Sequence, residues 1–228
     1  MAGKYRRPAS VLGAALVAAA VCMPSAHADT MEADAVLPGM SIFQTTPDGE
    51  EASCTAGFVV TASDGKKAFL TAGHCAVSSG WVSMQYMPTH ERRPVGTYRA
   101  SVEDDNHDIG LVGVASSRVP VNPRVRGIKP VVDMAGPAEL SGNTTTAICI
   151  MGARSQTTCG RSIKIVGNQL WFTAPAVHGD SGAPVFAVRD DGNLTAIGIL
   201  VSHPGGDQSI TAAEFIEPWM RRWGLRLN

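Results

Sequence analysis

The stretch His178-Gly179-Asp180-Ser181-Gly182-Ala183-Pro184, followed by the apolar run Val185-Phe186-Ala187-Val188, organises the whole chain. A serine stands between two glycines, with an aspartate directly before it. Glycines on both sides mark backbone that bends sharply or lets another molecule come close. A serine exposed on such a bend is a candidate nucleophile. Its hydroxyl is a weak one unless a base lies beside it in space. By itself the heptapeptide could equally be a Gly-rich turn entering a strand, so a base and its partner must be found elsewhere.

The amino terminus is set apart first. Lys4, Arg6 and Arg7 precede an apolar run from Val11 to Met23, and Pro24-Ser25-Ala26-His27-Ala28 offers small residues at cleavage offsets. Residues 1–28 are therefore expected to be a secretory signal peptide, with an apolar run too short to span a bilayer. A lipoprotein anchor at Cys22 is disfavoured by the bulky Val21 before it. Cleavage removes three of the 19 basic residues and no acid, leaving 16 against 20 acidic ones, a net charge of −4. No basic stripe marks a nucleic-acid footprint, and the sequence pI is about 6.6. The expected mature protein is an exported monomer with no stable membrane association. It is one globular unit, or two small lobes sharing a core.

Cysteine usage agrees with export. Once Cys22 leaves, Cys54, Cys75, Cys149 and Cys159 remain, an even number for an oxidising compartment. Three pairings are possible. The local one closes two short loops, each worth roughly 3 kcal/mol. No Cys-x-x-Cys spacing supports a zinc site.

Residues 29–38 read as a loose, partly acidic lead-in. Beyond them the chain is a series of short apolar or β-branched runs: Met40 to Thr45, Cys54 to Thr61, Ala68 to Ala72, Trp81 to Met87, Val95 to Val102 and Ile109 to Val114. Turn residues such as Pro47-Asp48-Gly49 and Ser63-Asp64-Gly65 separate them. The proline- and glycine-bearing stretch 115–127 breaks the rhythm and reads as a connector. Runs resume at Thr145 to Met151, Ser162 to Val166, Leu170 to Thr173, Val185 to Val188, Leu194 to Ser202 and Ile210 to Ile216. Many short strands predict an all-β sandwich or barrel. One helix is expected near the end, with Pro218 in its first turn and Gly224 just past it. Ile216, Trp219, Met220 and Trp223 share one face, which is expected to pack on the second lobe.

Two further stretches supply the missing chemistry. His74 lies in Phe69-Leu70-Thr71-Ala72-Gly73-His74-Cys75, where an apolar strand ends in a small-residue turn. An imidazole titrating near neutrality, fixed beside a disulfide, suits a general base. Asp108 is the last acid before the apolar Ile109-Gly110-Leu111-Val112. A carboxylate buried there would fix the imidazole's tautomer and stabilise its cation. Singly, each has an ordinary structural reading; together with Ser181 in one exported all-β chain they point to nucleophilic catalysis.

Thr71-Ala72-Gly73-His74-Cys75, Asp108-Ile109-Gly110-Leu111-Val112 and Gly179-Asp180-Ser181-Gly182-Ala183-Pro184 resemble the three signature blocks of chymotrypsin-like serine proteases. The order His, Asp, Ser is also that family's. The resemblance spans about residues 39–228. The spacing, the Gly160 after the second cysteine pair, and Phe215-Ile216-Glu217-Pro218 resemble the small bacterial, streptogrisin-like branch. It implies two six-stranded antiparallel β-barrels with the active site between them and a short C-terminal helix. Residues 39–118 would form the first lobe, 119–127 the connector, and 128–228 the second lobe with the helix. The expected disulfides are Cys54–Cys75 and Cys149–Cys159. Ser181 would attack a peptide carbonyl, His74 and Asp108 would handle its proton, and the backbone N–H groups of Gly179 and Ser181 would hold the oxyanion. Ser202, His203 and Pro204 would line the edge where a peptide substrate adds as a strand, Pro204 having no N–H to offer. No metal or other cofactor is needed, and the partners are protein or peptide substrates.

The sequence also departs from the family. Ala183 replaces a usual glycine. The activating Ile/Val-Val-Gly-Gly amino terminus that pairs with the acid before the serine in animal members has no counterpart, so Asp180 needs another source of compensation; Arg154 is the candidate cation. No long pro-region separates Ala28 from Gly39, so maturation without one is expected. The residue six before the serine is Pro175 rather than an acid, so cleavage after Lys or Arg is not implied. The competing reading is a secreted binding protein on the same fold with little catalysis. An α/β-hydrolase fails on order, since only His203 follows Ser181.

Overall fold

The computed structural model describes residues 35–228 apart from 87–88, 127–128, 142–146 and 208. The signal segment 1–28, residues 29–34 of the lead-in, Met87, Thr145 and Thr146 lie outside the described residues.

Among the described residues, seven strands precede the connector: β1 (Ser41–Thr45), β2 (Glu51–Thr55), β3 (Val59–Thr61), β4 (Lys67–Thr71), β5 (Val82–Gln85), β6 (Arg92–Glu103) and β7 (Asp108–Val114). Seven more follow it: β8 (Val131–Met134), β9 (Ala147–Gly152), β10 (Gln156–Val166), β11 (Gln169–Phe172), β12 (Pro184–Val188), β13 (Leu194–Ser202) and β14 (Thr211–Phe215). A helix (Glu217–Arg222) and β15 (Arg226–Leu227) end the chain. β7 is apolar almost throughout because it lies between β4 and β6 with both faces covered. β10 alternates more exposed and less exposed residues, the period-two signature of a strand with one wet face.

The second lobe is a closed ring, β12-β9-β10-β11-β14-β13, sealed by the β12–β13 pairing. The first sheet runs β15-β3-β4-β7-β6-β5-β1-β2. β2, at one edge, and β3, next to β15 at the other, belong to one stretch, whose pattern predicts a single strand from Cys54 to Thr61. The break at Ala56–Phe58 carries the chain from β1, just before which Met40 O accepts Ala56 N–H (2.8 Å), to β4, where Gly57 N–H donates to Leu70 O (2.7 Å). This bend wraps the sheet on itself and leaves Thr55 facing the second lobe. The two-barrel architecture and the terminal helix are therefore as expected from the sequence.

Beside that break, four features differ from the sequence reading. The sequence pattern does not predict β8; it is four residues long, joins β13 in parallel outside the ring, and exposes its middle, so it shows no apolar alternation. Ala35, Val36 and Leu37 are buried rather than loose, because Val36 bridges Val121 and its N–H donates to Pro120 O (2.9 Å). The tail does not stay with the second lobe: β15 pairs antiparallel with β3 of the first sheet. The helix follows the same path, since Ile216, Trp219 and Met220 enter a core shared with Phe58, Leu70 and Ile109 as well as Ile199 and Val201. Pro218 lies in its first turn and Gly224, at φ +60°, just past its end.

Candidate functional site

Ser181 sits on a tight turn between the lobes. Asp180 N–H donates to Val177 O (3.0 Å), Ala183 N–H to Asp180 O (2.8 Å) and Gly182 N–H to Leu200 O (2.7 Å). Gly179 (φ +98°) and Gly182 (φ +86°) both occupy left-handed backbone, and a side chain at 182 would run into the Thr71 hydroxyl and the Thr55 carbonyl. Both positions are thus closed to other residues at acceptable strain. Among the described residues, the N–H groups of Gly179 and Ser181 donate to no protein acceptor. They are the two donors expected for an oxyanion.

Asp180 is fully buried. Its Oδ1 accepts the backbone N–H groups of Arg154 (2.8 Å) and Ser155 (3.2 Å), and its Oδ2 that of Val177 (2.9 Å). This corrects the expected pairing with the Arg154 guanidinium. Arg154 contributes its backbone; its side chain lies along Gly179, where an added Cβ would sit 3.1 Å from Arg154 Cγ. Three N–H donors supply the compensation that a buried carboxylate demands.

Thr55, which sequence reasoning missed, clamps the turn from the first lobe. Its N–H donates to Ser181 O (2.7 Å) and its hydroxyl to Gly179 O (2.8 Å). The Thr55 carbonyl accepts the Thr71 hydroxyl (2.9 Å). A buried threonine in a strand looks like any β-branched core residue, so only its burial with a polar tip could have marked it.

His74 occupies a single helical turn, Gly73–Cys75, at the end of β4. The Cys54–Cys75 disulfide ties that turn to β2, next to Thr55, and the Cys75 sulfur lies 4.0 Å from Ser181 O. The second disulfide joins Cys149 and Cys159, which face one another in the β9–β10 ladder. Asp108, at the start of β7, accepts Gly73 N–H (2.6 Å) and His74 N–H (3.0 Å) on Oδ1, and His74 Nδ1–H (2.7 Å) on Oδ2. That last bond fixes the tautomer and leaves Nε2 as the basic nitrogen. Burial acts to lower the His74 pKa, but the hydrogen bond and charge of Asp108, with Glu103 adding to them, outweigh it and raise it above 6.5. Nearby, burial first and the Asp108 charge second push the Tyr98 phenol upward, so it stays neutral. The structure closes the Asp108–His74 hydrogen bond but none between His74 and the Ser181 hydroxyl.

The Ser202 end of β13 is exposed, and His203 continues it in extended backbone with Nδ1–H donating to Ile210 O (3.0 Å). At Pro204 the chain leaves the extended path. Gly206 N–H donates to His203 O (3.0 Å) and Asp207 N–H to Pro204 O (3.4 Å), closing a turn. Among the described residues, the atoms of Cys54, His74 and Cys75 converge as a metal's ligands would, but the two sulfurs are bonded to each other.

No protein-family model matches the chain, and no curated protein matches its sequence. Solved structures match in fold. Nocardiopsis protease (NAPase) is 22% identical with a TM-score of 0.64, over 85% of this chain and 98% of its own. Protease A of Thermobifida fusca is 24% identical with a TM-score of 0.63, over the same shares. A serine protease described as glutamic acid specific, with a histidine triad in substrate binding, is 23% identical with a TM-score of 0.63, over 85% of this chain and all of its own. The chain has the fold of the bacterial chymotrypsin-like serine proteases.

Proposed function

We propose that this chain is a secreted serine endopeptidase that cleaves peptide bonds through Ser181, His74 and Asp108. His74 Nε2 takes the Ser181 proton as Oγ bonds to the scissile carbonyl carbon. The carbonyl π electrons move to its oxygen, which the Gly179 and Ser181 N–H groups receive; such donors contribute about 3 to 4 kcal/mol each in the transition state. His74 then passes the proton to the leaving amine as the C–N bond breaks, giving an acyl-enzyme. Water, deprotonated by the same imidazole, releases the acid and restores Ser181. The Asp108 carboxylate stabilises the transient imidazolium.

The observation that carries this reading is one juxtaposition. Thr55 holds the Ser181 turn, with its two unspent N–H donors, directly against the disulfide that carries His74, already bonded to Asp108. The His74–Ser181 hydrogen bond is expected to close when substrate binds, as such bonds often lengthen in unliganded sites. Export is supported by the leading segment 1–28 and by the two disulfides. Among the described residues, no helix is long and apolar enough to cross a membrane.

The second reading, a binding protein on a protease fold, draws on the Pro204 turn, which shortens the edge available to an added substrate strand. Incubating the exported protein with a mixed peptide library separates the two. Peptidase activity predicts new termini with a consistent residue before the cut, absent with Ser181→Ala. Unchanged peptides would leave the binding reading.

A further inference from the structure

Glu214, the next-to-last residue of β14, is fully buried in the second lobe. One of its oxygens does three jobs. Oε1 accepts His107 Nδ1–H (2.9 Å), Asn168 Nδ2–H (2.8 Å) and Trp219 Nε1–H (2.8 Å). Oε2 is buried with no hydrogen-bond partner among the described residues. Burying a carboxylate in this way costs free energy unless its partners compensate it. Asn168 and Trp219 belong to the second lobe and the terminal helix. His107 belongs to the first lobe, and it is the residue immediately before Asp108.

His107 closes the hairpin between β6 and β7. Its carbonyl accepts Asp104 N–H (2.8 Å) and its own N–H donates to Asp104 Oδ1 (2.9 Å). Glu103 and Asp108 are the last paired residues below that tip. The His107 ring also packs edge-on against Trp219, at 5.2 Å between centroids and 87° between planes. The hairpin tip that carries the triad acid is thus fastened across the lobe boundary by one buried oxygen and one indole.

We propose that Glu214 is a positioning residue for Asp108, acting through His107, so that the second lobe sets where the first lobe's acid meets His74. The inference rests on the triad reading above. It differs from a general stabilising role in what it moves: a displaced Asp108 weakens its bond to His74, which lowers both the turnover rate and the His74 pKa.

The test uses His107→Phe in the full exported protein. Phenylalanine keeps a ring against Trp219 and removes only the N–H to Glu214. With a short amide substrate, kcat is expected to fall about 10- to 100-fold with KM changed less than about twofold. The acid limb of the kcat profile should move to lower pH. His107→Asn places an amide nitrogen where Nδ1 stood and should recover most of the rate. Proton NMR gives a readout independent of turnover: the low-field signal of the His74 Nδ1–H···Asp108 proton should shift or broaden in His107→Phe and return in His107→Asn. A His107→Phe protein that melts earlier but keeps its kcat, its acid limb and its low-field signal would overturn the proposal and leave Glu214 as structural. If the wild-type protein hydrolyses nothing, the protease reading fails separately, and the NMR signal still decides whether Glu214 positions Asp108.

Discussion

Replacing Asp180 with asparagine tests the most unusual part of the site, a buried charge held by backbone alone. The change is nearly isosteric. The amide oxygen can keep Arg154 and Ser155 if it takes the Oδ1 place, but its NH₂ then faces Val177 N–H across 2.9 Å. A hydrogen bond to a charged acceptor is lost, and a buried donor is left without a partner. Together these cost about 3 kcal/mol, allowing for the smaller desolvation of a neutral amide. Asp180→Ala orphans all three donors and should cost more, about 4 kcal/mol or above. Arg154→Ala is the discriminating control. It keeps the backbone N–H, so its effect on stability should stay within about 0.5 kcal/mol. Urea unfolding of the three variants gives the order. Because Asp180 lies between the two oxyanion donors, kcat for a short amide should also drop about 100-fold in Asp180→Asn. If Arg154→Ala matched the loss in Asp180→Asn, the guanidinium rather than the backbone would be the compensating group; if Asp180→Asn behaved as wild type, no charge-dependent hydrogen bonds would be at stake. Either result would refute the reasoning.

Three further outcomes are expected. Ser181→Ala and His74→Ala should each reduce amide hydrolysis by about 10⁴-fold or more, with the double variant little worse than either; additive losses would show that the two do not act as a unit. Activity should rise with pH on a limb whose midpoint lies above 6.5, since neutral His74 is the active form and Asp108 raises its pKa. The stability from that pair has the opposite sense, being full below about pH 6.5 and fading as pH climbs through the raised pKa, which thermal melts at several pH values would reveal. Removing Cys54–Cys75 by paired alanines should cost about 3 kcal/mol, from a separation of 21 residues. It should lower kcat far more than removing Cys149–Cys159, which only reinforces an existing hairpin.

The candidate residues with chemistry of their own are legible in the sequence. His74, Asp108 and Ser181 stand in short contexts whose side chains declare them, and the strands around them show as apolar runs between turn residues. What escapes a reading of side chains is what backbone and distance decide. The donors to Asp180 are the N–H groups of residues 154, 155 and 177, which every non-proline residue carries, so the arginine side chain nearby stood out in their place. Thr55 hides among β-branched strand residues. Glu214 lies 107 positions from His107, inside an apolar strand, and nothing local links the two. β15 is two residues long, and its pairing with the first sheet depends on where the helix deposits the tail. Pro204 signals a missing donor but not the turn that the two following glycines permit.

A fluorophosphonate probe answers the central claim most directly, because it bonds only to a hydroxyl already activated by a base. The exported protein, treated at about pH 8 and digested for mass spectrometry, should carry one phosphonyl group, on Ser181. Labelling should slow at least about 100-fold in His74→Ala and should fall away as the pH drops below the His74 pKa. A protein that takes no label, or takes it on another residue at the same rate with His74 present or absent, would contradict the account.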